Sequence, residues 1–152
     1  MGTTHFSGPV KTGTKIEGET NGPNQGYVVL QQSVALAQNS TNAVSQTIYV
    51  PPGSRLMDIM VDVLTAFDSA TSAVLSVGTS AGGTQYASTV DVKTATGRIR
   101  PTFTAAQLAA MESVSVLGVA APTTAPVVVT ITPTGATTAG YVQVTLVYAQ
   151  LD

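Results

Sequence analysis

The chain has 152 residues with a formal net charge of -2, and only 9% of its residues are charged. An ordinary soluble domain has about 25% charged residues, so this surface must be built mainly from Ser, Thr, Gln, Ala and Gly. The small negative charge provides no basic patch for phosphates, and no run approaches the ~18 apolar residues of a membrane helix. We therefore expect neither nucleic acid nor a membrane as a partner, and the scarcity of charge favours a component of an assembly over an enzyme.

Glycine and proline interrupt every apolar run in residues 1–26. The same segment contains Lys11, Lys15, Glu17 and Glu19, a large share of the few charged residues. Such a composition predicts an extended N-terminal arm and not a packed element. The arm is either a tail without a role or a segment that becomes ordered against a partner. Its beginning lacks the charged and then apolar regions of a secretory signal.

Residues 27–152 are predicted to form one all-β, antiparallel domain. Short runs rich in Val, Ile, Thr and Tyr are separated there by Gly, Pro, Ser and Thr, which is typical of domains with many short strands. The length suits one domain, and the number of strands suits a β-sandwich or a jelly roll. The predicted strands lie near residues 27–37, 44–50, 55–67, 73–79, 85–93, 98–103, 113–119, 126–132 and 140–149.

Two hairpins are predicted from the turns between these strands. The last strand alternates between an apolar and a more polar face, as a half-buried strand requires. Its expected partner is the run 127–131, joined to it through Pro133, Gly135 and Gly140. A Pro-Pro-Gly turn within residues 50–54 predicts the second hairpin. The apolar face of the last strand comprises Val142, Val144, Leu146 and Tyr148.

The segment 55–67 fits two kinds of secondary structure. Its apolar residues form a complete helical stripe at positions 56, 59, 60, 63, 64 and 67. We favour a strand, because a turn precedes the segment and β-branched residues occupy its middle. The face expected to be buried contains Met57, Ile59, Val61, Val63 and Phe67. The opposite face is half apolar, and a neighbouring subunit is predicted to cover it at Leu56, Met60 and Leu64.

One short helix is predicted after the sixth strand. Residues 104–107 read Thr-Ala-Ala-Gln, which matches a capping box, and the residues from Leu108 to Met111 are good helix formers. We expect this helix to close one end of the sandwich.

The sequence offers few residues for catalysis or metal binding. Cysteine is absent, and His5, the one histidine, lies in the glycine-rich arm. A Ser-His-Asp triad or a zinc site therefore cannot be assembled within one chain. On a strand, Asp58 and Asp62 would share a face about 13 Å apart, too far to hold one ion or to act as an acid/base pair. We expect no cofactor, no metal site and no enzymatic activity.

Three further features have ordinary structural interpretations. Asp68 with Ser69 is expected to begin a turn in preference to joining a calcium site. Arg98 and Arg100 alternate on one strand face and are expected to pair with local carboxylates more than with an acidic partner. The glycine-rich segment 78–84 lacks the lysine of a phosphate-binding loop and is predicted to be a hairpin tip.

Several segments of the sequence resemble small structural proteins of tailed bacteriophages. They consist of turns and strands without a catalytic signature, and they are residues 3–10, 50–54, 58–63, 65–70, 77–79, 130–135 and 139–142. Together they span most of the chain. The family that the chain resembles is that of the capsid decoration, or cement, proteins.

This resemblance implies a β-sandwich or jelly-roll module on the outer surface of the assembled capsid, commonly as a trimer. Such a module stabilises the phage head by clamping subunits of the major capsid protein. The resemblance also implies that the arm lies along the major capsid protein, and we expect Phe6, Pro9 and Val10 to contact it. The expected partners are then the major capsid protein and further copies of this chain.

Two other functions fit the same sequence. A receptor- or glycan-binding head module of a phage fibre or surface appendage would use loops 78–84 and 133–140 as a binding rim. Another virion part, such as a tail-tube or head-completion protein, would form a ring or a hexamer in solution. Binding to cells or glycans without affinity for capsids would indicate the first of these.

Overall fold

The computed structural model describes residues 28–38, 40–51, 54–94, 96–112 and 125–150. Within them the chain forms a sandwich of two four-stranded antiparallel sheets with one short helix, which confirms the predicted fold class. The helix, α1 (Ala105–Glu112), lies between β6 and β7 in the chain. The strands are β1 (Val28–Ala37), β2 (Val44–Val50), β3 (Ser54–Thr65), β4 (Ser72–Gly78), β5 (Ala87–Asp91), β6 (Gly97–Ile99), β7 (Ala125–Thr134) and β8 (Tyr141–Gln150).

The strand order is that of a jelly roll. The first sheet has the order β1-β8-β3-β6 and the second has the order β2-β7-β4-β5. The pairs β1·β8, β2·β7, β3·β6 and β4·β5 are nested, as in one long antiparallel ribbon that has been rolled up. Consecutive strands therefore lie in different sheets, except for β4 and β5. The glycine-rich segment 78–84 leads from β4 toward β5, so its prediction as a hairpin tip is confirmed.

Both hairpins predicted from the other turns are wrong. β7 and β8 lie in different sheets, and so do β2 and β3. The segment 50–54 crosses between the sheets, because Val50 pairs with Ala125 of β7 whereas Ser54 pairs with Gln150 of β8. Alternation of apolar and polar side chains specifies a half-buried strand, but it does not specify the strand that pairs with it. The type of turn at residues 52 and 53 lies outside the described residues.

The connection between β7 and β8 is held by backbone hydrogen bonds from two other parts of the chain. The N–H groups of Asp68 and Ala70 donate to the carbonyls of Ala139 and Ala136, at 3.2 and 3.0 Å. The N–H of Gln38, at the end of β1, donates to the carbonyl of Gly140 at 3.0 Å. This connection is therefore fixed in position, although it contains no strand of its own.

Alternate side chains of the strands fill the space between the two sheets. The four predicted apolar residues of β8 are all buried, which confirms the face assigned to that strand. They align in rows with inward residues of the neighbouring strands, as in the row Val34, Val144 and Val61. Burial of each such side chain stabilises the fold by roughly 1.5–3 kcal/mol. The largest fully buried side chains are Phe67, Leu36, Ile59, Leu75, Ile131 and Leu146.

The ambiguous segment 55–67 is a strand, as predicted. Ile59, Val61, Val63 and Phe67 of the predicted face are buried, but the assignment of Leu56 and Met57 is wrong. The pairing of β3 with β8 shifts between Leu56 and Asp58 and again between Val63 and Thr65. Each β-bulge inserts an extra residue and reverses the alternation beyond it. As a result Leu56 is buried in the core, 3% exposed, and Met57 is 47% exposed. The bulges also explain the apparent helical spacing, because one of them lies between the buried residues Leu56 and Ile59.

The predicted capping box at the start of α1 is confirmed. The N–H of Gln107 donates to the Thr104 hydroxyl at 3.2 Å, and the N–H of Thr104 donates to the Gln107 side-chain oxygen at 2.9 Å. Nε2 of the buried Gln107 side chain donates to the Thr84 carbonyl at 3.1 Å and to the Ser88 hydroxyl at 3.2 Å. The helix is thereby attached to the connection between β4 and β5, and it packs near β3.

Two predicted elements lie outside the described residues. They are the N-terminal arm, residues 1–26, and the strand near 113–119. Both stay predictions.

A substitution of Gly140 tests the packing of the β7–β8 connection on the core. A Cβ atom at this position would lie 2.3 Å from Cδ1 of Phe67, whose side chain is only 1% exposed. Because the ring cannot move without disturbing packed neighbours, we expect Gly140→Ala to lower the free energy of unfolding by about 1–3 kcal/mol. Urea denaturation measures this. Ala139→Ser, at the exposed neighbouring position, should change it by less than about 0.5 kcal/mol, and equal effects would contradict the packing argument.

Candidate interaction surface

The charged side chains of the described strands lie in one half of the sandwich. Among the described strands, β3, β5 and β6 contain charged side chains, whereas β1, β2, β4, β7 and β8 contain none. β1 and β8 are adjacent in the first sheet, and β2 and β7 are adjacent in the second. Since β1 also contacts β2 across the sandwich, these four strands form one continuous side of the molecule. We call β1, β8, β2 and β7 the charge-free half.

Ion pairs join β3 to the segments beside it. Nε and Nη2 of Arg98 donate to the two carboxylate oxygens of Asp62 at 2.8 and 3.1 Å, and Nη2 of Arg100 lies 3.4 Å from Asp58. The bidentate hydrogen bonds and the charge of Arg98 hold the pKa of Asp62 below its ordinary value. These contacts confirm that both arginines pair with local carboxylates. Because the pairs are exposed to solvent, each contributes little to stability.

Two other aspartates hold loops. The carboxylate of Asp68 accepts hydrogen bonds from the Thr138 hydroxyl and from the N–H groups of Thr138 and Ala139, the last two at 2.8 and 3.0 Å. The Thr138 hydroxyl contributes most, and together these donors lower the pKa of Asp68 to about 2. Asp91 accepts from the Thr94 hydroxyl and from the N–H of Lys93, which lowers its pKa too. Asp68 therefore connects two segments distant in sequence, beyond the local turn predicted for it.

No chemical centre is visible in the described parts of the chain. Glu112, the fifth described carboxylate, lies 3.2 Å from Nη1 of Arg55, so each of the five has a polar partner. Among these residues no group of three or more His, Cys, Asp or Glu side chains is placed to hold a metal ion. No helix there is long and apolar enough to span a membrane.

Small uncharged polar groups join neighbouring strands on the outer faces of the charge-free half. On the first sheet the Ser33 hydroxyl lies 2.7 Å from that of Thr145, which joins β1 to β8. On the second sheet the Ser45 hydroxyl lies 2.9 Å from that of Thr130, which joins β2 to β7. Cross-strand hydroxyl pairs of this kind stabilise neighbouring strands without introducing a charge. Thr130 and Thr145 are themselves buried, and the N–H of Gly82 also donates to the Thr130 hydroxyl at 2.8 Å.

The two sides of the sandwich differ in how their edge strands are protected. On one side, β6 has three residues and contains Arg98, while β5 has five residues, ends at Asp91 and pairs irregularly with β4. Shortness, charge and bulges are the usual means of preventing an edge from pairing with another chain. On the other side, β1 has ten residues and β2 has seven, and neither contains a charged residue, glycine or proline. Among the described residues, no strand pairs with the outer edge of β1 or β2, so within this part of the chain these edges are open to further pairing.

Exposed apolar side chains lie at one end of this open side. Val29 and Leu30 of β1 are 58% and 39% exposed, and Tyr49 of β2 is 61% exposed. They lie at the same end of the sandwich. β1 begins opposite Gln150 of β8, and Gln150 also pairs with Ser54 at the start of β3. Ser54 directly follows the crossing from the end of β2. Exposed apolar side chains grouped beside strand edges are typical of contact surfaces.

The structure separates the three residues predicted to form a subunit interface. Leu56 is buried in the core and does not share a face with the other two. Met60 is half-buried in an outward row with Ser33 and Thr145, and Leu64 is 57% exposed at the second bulge. The bulge at Met57 caused the misassignment, and alternation alone does not reveal it. A subunit contact at Met60 and Leu64 stays a prediction, while Phe6, Pro9 and Val10 lie outside the described residues.

The structure does not bring the two loops of the alternative binding rim together. The loop after β4 begins beside Val128, near the start of β7, whereas the loop before β8 follows the end of β7. The two loops therefore lie at opposite ends of the sandwich. A cleft of about 450 Å³ lies elsewhere, between β5 and residues 99–102, and its charged residues already have the partners described above.

Comparisons with known proteins give one match, in fold. No known family matches the sequence, and no curated protein matches it. Among solved structures, a chain of the "Cyanophage Pam1 capsid asymmetric unit" is similar, with a TM-score of 0.55 and 16% sequence identity. The similarity covers 93% of this chain and 99% of that chain, so the two chains are of similar length. At this level of identity the match shows a shared fold.

The hydrogen bonds to Asp68 predict a pH dependence of stability. Its folded pKa of about 2 is below the ordinary value of about 3.9, so the ionised carboxylate stabilises the fold above about pH 4, and this contribution is lost as the pH falls through about 2. We expect Asp68→Asn to lower the free energy of unfolding at neutral pH. On acidification, the free energy of unfolding of the variant should fall less than that of the wild type. Urea denaturation over this pH range measures both. Parallel pH curves for the two proteins would contradict the role of Asp68.

Proposed function

We propose that this chain is a structural protein of a bacteriophage virion, located on the outer surface of the head as a capsid decoration protein. In this role it binds the major capsid protein and stabilises the shell by clamping neighbouring subunits. The observation that carries the proposal is the similarity in fold to a chain of a phage capsid asymmetric unit, over nearly the full length of both chains. The resemblance of the turn and strand segments to decoration proteins supports it independently.

The uneven charge distribution supports a role in assembly. Docking against the charge-free half removes apolar and neutral polar surface from water, at roughly 25 cal/mol per Å² of apolar area, without stripping water from a charge. Contacts of modest strength in each copy become strong when several copies bind one shell.

The proposed assembly has two kinds of contact. Residues 1–26 extend along the major capsid protein, with Phe6, Pro9 and Val10 as the contacting residues. Further copies of this chain pack together as a trimer through the outer face of the first sheet, where Met60 of β3 lies in a row with Thr145 and Ser33 of the charge-free half, and Leu64 takes part. The arm adds reach, since an extended segment spans roughly 3.3–3.6 Å per residue.

Charged substitutions in the arm test the capsid contact in the full-length chain. Phe6→Asp combined with Val10→Asp places two carboxylates where apolar burial is expected, and the matched control, Thr4→Asp combined with Thr12→Asp, adds the same charge nearby. Because each apolar side chain contributes roughly 1.5–3 kcal/mol when buried, we expect the first variant to bind at least about tenfold more weakly. Co-sedimentation with capsids that lack this protein measures the affinity.

The same experiment contains the outcomes that contradict the proposal. Wild-type protein that fails to sediment with such capsids, and binds cells or glycans instead, would favour the receptor-binding alternative. Equal loss of binding in the two double variants would refute specific contacts by Phe6 and Val10, since charge alone would then explain the result.

A further inference from the structure

β1 is the longest open edge of the sandwich. It pairs with β8 along all ten residues on one side, and no described strand pairs with its other side. Alternate N–H and C=O groups of an edge strand point away from its sheet and can pair with a further strand. No charge, glycine, proline or bulge in β1 opposes such pairing.

We propose that a second copy of this chain pairs with β1 in antiparallel orientation, about a two-fold axis at Gln32. The two first sheets then form one continuous eight-stranded sheet, with β1 of each copy at its centre. This contact is additional to the trimer contact and to the capsid contact, because a two-fold contact joins copies in pairs.

The sequence of β1 identifies a second copy as the partner. Residues 28–30 are apolar, 31–33 are polar and 34–36 are apolar, so the pattern reads the same in both directions from Gln32. Antiparallel pairing about this residue places like against like. The opposed pairs are Val28 with Leu36, Val29 with Ala35, Leu30 with Val34 and Gln31 with Ser33, while Gln32 meets its own copy.

The faces of the strand agree with this register. Leu30, Gln32 and Val34 lie in the rows of the buried β8 residues, so they point inward, while Gln31 and Ser33 point outward. Pairing about Gln32 sets inward residues against inward residues and outward against outward, as a continuous sheet requires. It also covers an exposed group: Leu30 points inward yet is 39% exposed, because β1 is the last strand of its sheet. Val34 of the second copy would pack beside it.

The other open edge fits a second copy less well. If β2 pairs with β2 of a second copy about Gln46, Val44 is matched with Ile48 and Ser45 with Thr47. The matched region then has five residues, compared with nine in β1. Tyr49 and Val50 then extend beyond the matched region. The two edges therefore differ in length of match, and β2 provides a control for the test.

Paired charges at two exposed positions test both the contact and its register. In Gln31→Lys combined with Ser33→Lys, residue 31 of each copy faces residue 33 of the other, so two like-charged pairs oppose each other at about 4.5–5.5 Å between Cβ atoms. In Gln31→Glu combined with Ser33→Lys, the same positions form two opposite-charge pairs. Both variants replace the same exposed side chains, so any effect on the fold itself is matched. Gln46→Lys is the control on β2.

The mass of the particle in solution, measured by analytical ultracentrifugation over a concentration series, decides the outcome. We expect the wild type to contain two copies, or six where the trimer contact also forms, and the Lys/Lys variant to have half that mass. A hexamer that the Lys/Lys variant leaves intact would instead indicate the tail-tube or head-completion alternative. The Glu/Lys variant should keep the even number, with a dissociation constant at least about tenfold lower than that of the Lys/Lys variant. An odd number of copies in the wild type, equal masses of the two variants, or a halved mass for Gln46→Lys would overturn the proposal. Capsid binding is measured in the separate co-sedimentation experiment, so a failure of the proposed function can be distinguished from a failure of the β1 contact.

Discussion

An open sandwich leaves four edge strands, and the peptide groups on each free edge must be solvated, blocked or paired with another chain. This constraint organises the molecule. Its two sheets place β5 and β6 on one side, where short strands, irregular pairing and ion pairs block the edges. They place β1 and β2 on the other side, where long regular strands carry no charge. Among the described strands, the few charged side chains therefore lie on one side of the sandwich, and the other side has none.

The local features of the fold could be predicted from the sequence, because each depends on neighbouring residues. Alternation along β8, the capping box at Thr104 and the strand character of β3 are of this kind. Apart from the β4–β5 hairpin, the partners of the strands could not be predicted, because pairing in a jelly roll joins residues far apart in the chain. β1 and β8, for example, are neighbours in space although they are the first and last strands described. The bulges in β3 were also hidden, since one inserted residue exchanges the roles of Leu56 and Met57 without changing the composition.

The composition predicts that the chain has a contact surface, but it does not predict where that surface lies. Composition indicates that a chain with 9% charged residues packs against something, yet it gives no position. The position emerges only when folding brings β3, β5 and β6 together and leaves the uncharged strands on the opposite side. The pairing of Arg98 with Asp62 illustrates this, because the two residues are separated in sequence and meet only where β6 adds to β3. The palindromic pattern of β1 is visible in the sequence, but it acquires meaning only once β1 is known to be an edge.

Amide hydrogen exchange most directly tests the central claim that the charge-free half is the side used in assembly. Amide exchange rates are measured for the protein bound to capsids and for the protein diluted to monomer. The change in rate between these two states is then compared between β1 and β2 on the one hand and β5 and β6 on the other. If this side mediates assembly, exchange in β1 and β2 becomes slower on assembly and exchange in β5 and β6 changes little. Slower exchange confined to β5 and β6, with β1 and β2 exchanging as fast as in the monomer, would contradict it.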